Sequence, residues 1–276
     1  MPELPEVETI RRQLAESLPG RSFAEVAIWD PKLVSPETPK RFAAALYGRR
    51  VDRVGRRGKY LLLALDSGDT LALHLRMTGQ LYWFAAGPDP DLPYPRARLD
   101  LDDGSTLVFC DLRRFGRAWI VPADMPDAEG YWRSRTGIEP LGPGFTARGL
   151  GALLAGRRGP LKAALLDQAT VAGIGNMYAD EALFQARLHP LRPAGSLTEA
   201  ETRRLHRAIR DRLRVAVEAG GASIDRYRDA LGQRGAMQTL LRVHRHEGDP
   251  CPRCATTIVK TRVAQRGTYL CPRCQG

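Results

Sequence analysis

The sequence predicts an α+β protein whose mainly β first half and helical second half are separate domains, followed by a small metal-held hairpin. Three observations carry this reading. Short apolar runs broken by DSGD and DDGS turn signals fill residues 60–110, helical patterns take over after a Pro/Gly-rich stretch at 121–144, and two CPRC motifs sixteen residues apart close the chain. With 276 residues, 43% of them hydrophobic and 26% charged, the chain can bury a substantial core.

The first element is a helix over residues 5–17. Pro5 suits a first-turn position, Glu6 and Glu8 complement the helix dipole, Val7, Ile10, Leu14 and Leu18 recur on one face, and Gly20 ends the run. A short helix opened by Thr38 and Pro39 follows, and residues 60–66, 70–75, 98–101 and 106–110 read as strands. Pro122, Pro126, Pro140, Gly142, Pro143 and Gly144 then mark a linker. Helical patterns cover 146–154, 161–168, 176–186 and, most clearly, 199–219. That last helix has a capping box in Thr198 and Glu201, a core face of Leu205, Ile209, Leu213 and Val217, and Gly220 as its stop. Domains are thus expected at 1–130, 146–235 and 236–276, with a linker at 131–145.

A net charge of +11 and a pI near 9.8 make a polyanion the leading partner, because each phosphate neutralised releases counterions. No apolar run approaches the roughly 20 residues that span a bilayer. The acidic start, Glu3, Glu6 and Glu8 with no apolar stretch, argues against a secretory signal and for an intracellular protein. Such a compartment favours thiolates over disulfides. Cys251, Cys254, Cys271 and Cys274 have the spacing of a four-cysteine zinc site, and four protein thiolates leave no open coordination position, so one structural Zn2+ is expected. Lys260, Arg262, Arg266 and Arg273 put cations on that module, as a nucleic-acid finger would; a merely solvated basic hairpin is the alternative. Cys110, in LVFC, reads as a core residue.

The opening MPELPEVETIRR places a small Pro after the initiator Met, so Met1 is expected to be removed and Pro2 to become a terminal secondary amine. An α-amino group titrates near about 7.7–8.0, which leaves a neutral fraction able to attack an aldehyde-level carbon. Taken alone, Pro2 reads more readily as a processed terminus.

Six strings change that balance. PELPEVET, GKYLL at 58–62, HLRMTG at 74–79, DLRRFG at 111–116, GIGNMYADE at 173–181 and the terminal finger, in this order, closely resemble formamidopyrimidine-DNA glycosylases from end to end. The resemblance implies a β-sandwich, a helix-two-turns-helix domain and a zinc finger, acting as a monomer on double-stranded DNA that contains oxidised bases, in the cytoplasm and nucleoid of a bacterium. It implies a bifunctional glycosylase and lyase for 8-oxoguanine and formamidopyrimidines, cutting by β,δ-elimination. Pro2 matches the nucleophile at the sugar C1′. Glu3 matches the acid that handles protons at the opening ring, a role that calls for a raised pKa. Glu6 is architectural beside them. Lys59 matches the lysine of β-elimination, and Arg266 the finger arginine of δ-elimination. Met77, Arg113 and Phe115 match the triad that fills the gap left by a flipped nucleotide, and Arg114 matches a phosphate contact. Asn176 is expected to cap its helix and bind phosphate, and Arg157, Arg158 and Lys162 form a basic cluster for the DNA backbone.

Two places depart from the family pattern. Residues 243–246 read VHRH where a Tyr-Gly-Arg string is usual, and Met237 stands where an aromatic is usual, beside the loop expected to cover the flipped base. Lesion choice is therefore less firmly implied than the chemistry. An endonuclease VIII-like relative acting on oxidised pyrimidines is the nearest alternative, and LPEVET with the full Met77, Arg113, Phe115 triad favours the purine enzyme. A damaged-DNA-binding protein without catalysis is the alternative from another class, against which Pro2, Glu3 and Lys59 are all present. A zinc-ribbon transcription factor leaves the first half unexplained.

Overall fold

The computed structural model describes residues 1–86, 91–125, 131–132 and 134–276. Pro126 of the Pro/Gly stretch and Arg133 of the expected linker lie outside them. The chain divides into two units, 1–131 with 219–236, and 132–218 with 237–276.

In the first unit, helix α1 (Leu4–Ser17) begins one residue earlier than expected, because Glu6 reaches back to the Glu3 N–H at 2.8 Å, the returning half of a capping box. Its predicted stripe of Val7, Ile10, Leu14 and Leu18 is fully buried, each side chain contributing about 1.5–3 kcal/mol. The short helices α2 (Pro31–Val34) and α3 (Pro39–Leu46) follow, α3 capped by Thr38.

Among the described residues, eight strands, not the four expected, make two antiparallel sheets. The first has the order β1 (Phe23–Ile28), β6 (Pro95–Leu101), β7 (Thr106–Asp111), β5 (Gly79–Phe84). The second runs β2 (Val51–Arg57), β3 (Tyr60–Leu65), β4 (Thr70–His74), β8 (Arg117–Val121). One core holds them together, with Leu61, Leu63, Leu71 and Leu73 from one sheet meeting Leu81, Leu99, Leu107 and Phe109 from the other: a β-sandwich. The strands missing from the sequence reading are those with weak alternation. β2, VDRVGRR, buries only Val51 and Val54, and its remaining positions are polar or glycine. Cys110 lies in the interior beside Tyr82 and Val108, where burial pushes its thiol up to about 11.

Residues 219–236, expected in the helical domain, belong to this unit. The Trp83 N–H donates to Ala230 O at 2.8 Å, and Gln13 exchanges hydrogen bonds with Asp229 and the Ala230 N–H at 2.7 and 2.9 Å. A backbone N–H on β5 and a side-chain amide on α1 hold a segment whose own sequence carries no strand or helix pattern.

The second unit contains α4 (Ala147–Leu154), α5 (Leu161–Leu166), α6 (Asn176–Ala186) and α7 (Glu199–Glu218), with the hairpin β9 (Val259–Val263), β10 (Arg266–Leu270) at its end. Thr146 caps α4 through the Gly149 N–H at 3.0 Å, and the predicted box on α7 forms in both directions, at 2.8 and 3.3 Å. Helix α5 stops two residues early. The Asp167 carboxylate captures the Ala169 N–H and the Thr170 hydroxyl, which turns the chain out of the helix. No helix among the described residues is long and apolar enough to cross a membrane.

Candidate functional site

Pro2 and Glu3 are both buried at the head of α1. Glu6 organises this end. One carboxylate oxygen accepts from the Glu3 N–H and the other from the Ala222 N–H at 2.8 Å, while its carbonyl accepts from the Tyr227 hydroxyl at 3.2 Å. The chain passes so close here that a Cβ on Gly221 would sit 2.9 Å from the Glu6 side chain, and its φ of +79° also favours glycine. The expected architectural role of Glu6 thus has a specific content: it ties the chain start to residues 219–236.

Lys59 occupies the second place of the two-residue turn between β2 and β3, after Gly58 at φ +54°, and is buried. The same hairpin is fastened to α1 by Arg56, whose Nε lies 3.0 Å from the Glu8 carboxylate. Behind it, Tyr60 packs edge-on against His74. Burial, followed by the charges of Arg76 and Lys59, pulls His74 down to about 3, so the imidazole is neutral at physiological pH and its Nδ1 accepts the Arg76 N–H at 3.0 Å.

Met77 lies between β4 and β5, and Arg113, Arg114 and Phe115 lie between β7 and β8. Both loops cross from one sheet to the other at the same end of the sandwich. Gly79 pairs with Asp111 and His74 with Arg117, so the loops run side by side. Met77 and Phe115 are 40% and 46% exposed, and the Arg113 guanidinium lies 4.9 Å over the Phe115 ring. Arg76 and Arg114 hold φ of +54° and +60°, backbone strain placed in these two loops. Arg114 makes a two-pronged pair with Asp30 at 2.7 and 2.8 Å, whose hydrogen bonds hold the Asp30 carboxyl below its ordinary range. Asp30 and Asp111 were not among the residues singled out from sequence, although Asp111 opens the DLRRFG string.

In the second unit, Lys162 corrects an expectation. Its side chain is completely buried, with Nζ 2.7 Å from Asp180, and it donates to Gly267 O at 3.1 Å and to the Thr268 hydroxyl at 2.8 Å. It is an internal cross-brace and does not join a surface cluster. Arg157 and Arg158 are exposed, and Arg157 pairs with Asp167 at 3.1 Å. Asn176 does not cap its helix: Gly175 holds the cap position, and the Asn176 amide donates to Gly267 O at 2.9 Å. Its buried Oδ1 has no hydrogen-bond partner among the described residues.

The VHRH segment has a defined place. His244 bonds Asp180 at 2.8 Å, and Glu181 accepts the backbone N–H groups of Arg242, Val243 and His244. Arg245 takes φ +67°, the left-handed conformation that a glycine of the Tyr-Gly-Arg string would take without cost. Arg245 therefore carries backbone strain at this turn. Met237 is fully buried at the start of a short 3-10 turn, a core residue of this unit.

Arg266 is exposed and follows the tip of the β9–β10 hairpin, where Ala264 and Gln265 both have positive φ, as a type I′ turn requires. The four cysteine sulfurs lie within 4.8 Å of one another, with three separations of 3.4, 3.5 and 3.9 Å. A tetrahedron with metal–sulfur bonds of about 2.3 Å has edges of about 3.8 Å. The donor set therefore fits one zinc ion, held by Cys251, Cys254, Cys271 and Cys274. The N–H groups of Arg253 and Cys274 donate to Cys251 and Cys271 sulfurs at 3.4 Å, which orients thiolates.

Comparison with known proteins covers the whole chain. The family model of the formamidopyrimidine-DNA glycosylase N-terminal domain matches residues 1–118, that of the formamidopyrimidine-DNA glycosylase H2TH domain residues 136–228, and that of the zinc finger found in FPG and IleRS residues 248–276. The formamidopyrimidine-DNA glycosylase of Chloroflexus aurantiacus is 47% identical over 279 residues, covering 100% of this chain and 98% of that one. A Lactococcus lactis FPG variant in complex with Fapy-dG containing DNA has a TM-score of 0.91 at 33% identity, covering 99% of both chains. MutM in complex with carbocyclic 8-oxo-G containing DNA has a TM-score of 0.90 at 34% identity, again over 99% of both. The wild-type Lactococcus lactis protein has also been solved with an oxidized pyrimidine containing DNA, at TM-score 0.90 and 33% identity over 99% of both chains. With family models over all three regions and a relative this similar along its full length, the chain belongs to the formamidopyrimidine-DNA glycosylase family.

Proposed function

We propose that this protein is a bifunctional DNA glycosylase and abasic-site lyase of base excision repair, which flips and excises oxidised purines and then nicks the strand. The observation that carries the reading is the chain start: Pro2 and Glu3 are buried and fixed by Glu6, in a member of this family over its full length.

Once Met1 is removed, the Pro2 nitrogen is a secondary amine able to attack the sugar C1′. The bond to the damaged base breaks, the base leaves, and ring opening yields an iminium ion on Pro2, with Glu3 supplying a proton at the ring oxygen. Lys59 is proposed to move the proton in β-elimination, which expels the 3′ phosphate, and Arg266 to hold phosphate during δ-elimination. Met77, Arg113 and Phe115 fill the vacated stack, and their exposure supports this. Arg114, Arg157, Arg158 and Asn176 are proposed backbone contacts, Arg114 by exchanging Asp30 for a phosphate. Bound zinc supplies no chemistry to these steps; it holds the finger folded. The domain assignment proposed is a catalytic sandwich, a helix-two-turns-helix domain and a finger, in a monomer working on DNA in the cytoplasm and nucleoid.

The test is borohydride trapping on a duplex with 8-oxoguanine opposite cytosine, wild type beside Pro2→Gly. A covalent adduct from wild type alone is the expected result; zinc-loaded wild type that binds the lesion but gives no adduct refutes catalysis. Because a relative has been solved with an oxidised pyrimidine, the same assay on such a duplex measures a second substrate class.

A further inference from the structure

We infer that Asp111 is the positioning residue of the gap-filling triad, and that Thr78 is its link to the Met77 loop. The inference rests on the function proposed above. Three gap-filling side chains on two separate loops must enter the stack together, yet Met77 and Phe115 are 40% and 46% exposed and the Arg113–Phe115 stack joins only two of the three. Asp111 supplies what they lack. It ends β7 and is buried. Its Oδ1 accepts the Thr78 hydroxyl at 2.5 Å and the Arg113 N–H at 3.1 Å, and its Oδ2 accepts the Gly116 N–H at 2.7 Å. The Arg113 N–H is shared with the Thr78 Oγ1 at 3.0 Å. One carboxylate thus fixes the residue after Met77, the backbone of Arg113 and the residue after Phe115.

The base of this bracket is itself immobilised. The Asp111 N–H donates to Tyr94 O at 3.0 Å, and its carbonyl accepts Arg96 Nε at 2.8 Å. A carboxylate suits the position because it only accepts, and everything facing it donates. An amide in its place keeps one accepting oxygen and turns a donor toward the other N–H or hydroxyl. Asp111 touches no reacting atom, so its effect falls on extrusion of the nucleotide.

The experiment compares two rates on matched duplexes: excision of 8-oxoguanine opposite cytosine, and strand cleavage at a preformed abasic site opposite cytosine, which leaves no damaged base to extract. Thr78→Val removes the link while leaving the buried carboxylate in place, so it guards against a misfolded Asp111→Asn. Each variant is expected to slow excision by about tenfold more than abasic-site cleavage, the loss of one hydrogen bond to a charged group. Thr78→Ser is expected to restore the wild-type ratio. A 2-aminopurine beside the lesion should show slower unstacking in both variants. Excision and cleavage falling in parallel, or neither falling, overturns the proposal while the function stands. Wild type inactive on both duplexes overturns the function and the proposal with it.

Discussion

The two ends of this chain are secured by opposite means. At the start, Pro2 and Glu3 are held by the protein's own groups: an apolar helix stripe beneath them and the Glu6 carboxylate accepting two backbone N–H groups. At the finish, the finger has almost no core. Its buried apolar side chains are Ile258, Val263 and Leu270 with the ligands Cys251 and Cys271, packed in part against Phe184 of α6 and Val243. Under the proposed function the start must hold a nucleophile in place, a task suited to rigid hydrogen bonding. The finish requires only that a cationic hairpin tip be kept folded, which one metal ion can do in thirty residues or so.

Removing the metal should break this comparison most strongly. A structural zinc site is worth about 10–16 kcal/mol of folding free energy in isolated fingers. Chelation, or Cys271→Ala, is expected to abolish amide-exchange protection across β9 and β10 while α1 keeps its own. Equal loss at both ends would show that the start also depends on the metal.

The brace behind the hairpin gives the next effect. Lys162 and Asp180 are both wholly buried at 2.7 Å, so Lys162→Met removes the carboxylate's cation and leaves it, among the described residues, the His244 hydrogen bond alone. Breaking such a pair costs about 3–5 kcal/mol. Denaturant unfolding of the zinc-loaded variant measures it, and a loss under about 1 kcal/mol would mean that His244 or water compensates Asp180. At the other end, Glu6→Gln should cost about 1–3 kcal/mol, since an amide cannot accept from both the Glu3 and Ala222 N–H groups. Residues 219–236 should become more susceptible to limited proteolysis. Unchanged cleavage there would assign their order to Gln13 and Trp83 instead.

The legible parts of the molecule were those with local causes. The helices of the second unit were readable because Thr146, Thr198 and Gly220 mark ends and the apolar positions repeat on one face. The cysteine spacing announced the four-sulfur cluster, and the six family strings announced the family. What sequence could not give was the partner of a buried charge. Lys162 sits among surface-like neighbours in RRGPLK, and Asp180, Gly267 and Thr268, remote in sequence, draw it inside. The bracket at Asp111 likewise needs the register that sets Gly79 opposite it. Residues 219–236 leave the helical unit through side-chain bonds to Gln13 and Glu6 that no periodicity foretells.

The smallest effect sharpens the same contrast inside the second unit, where one helix is secured by means like those at the chain start. Glu201 closes the capping box on α7 and pairs with Arg192, and the hydrogen bond from that guanidinium leads the causes that bring its carboxyl down to about 2. A carboxyl depressed in the folded state stabilises it fully above the unfolded pKa of about 4.3, and that contribution is lost as pH falls through the folded value. Glu201→Gln should therefore cost about 1 kcal/mol near neutrality, the scale of a helix cap. The gap between variant and wild type should narrow steadily below about pH 4.3, because protonation makes the two side chains nearly equivalent. Zinc release at low pH affects both proteins alike, so the difference between their unfolding midpoints isolates the cap. A gap that stayed constant from neutrality to pH 3 would place the stabilisation in side-chain packing and not in charge.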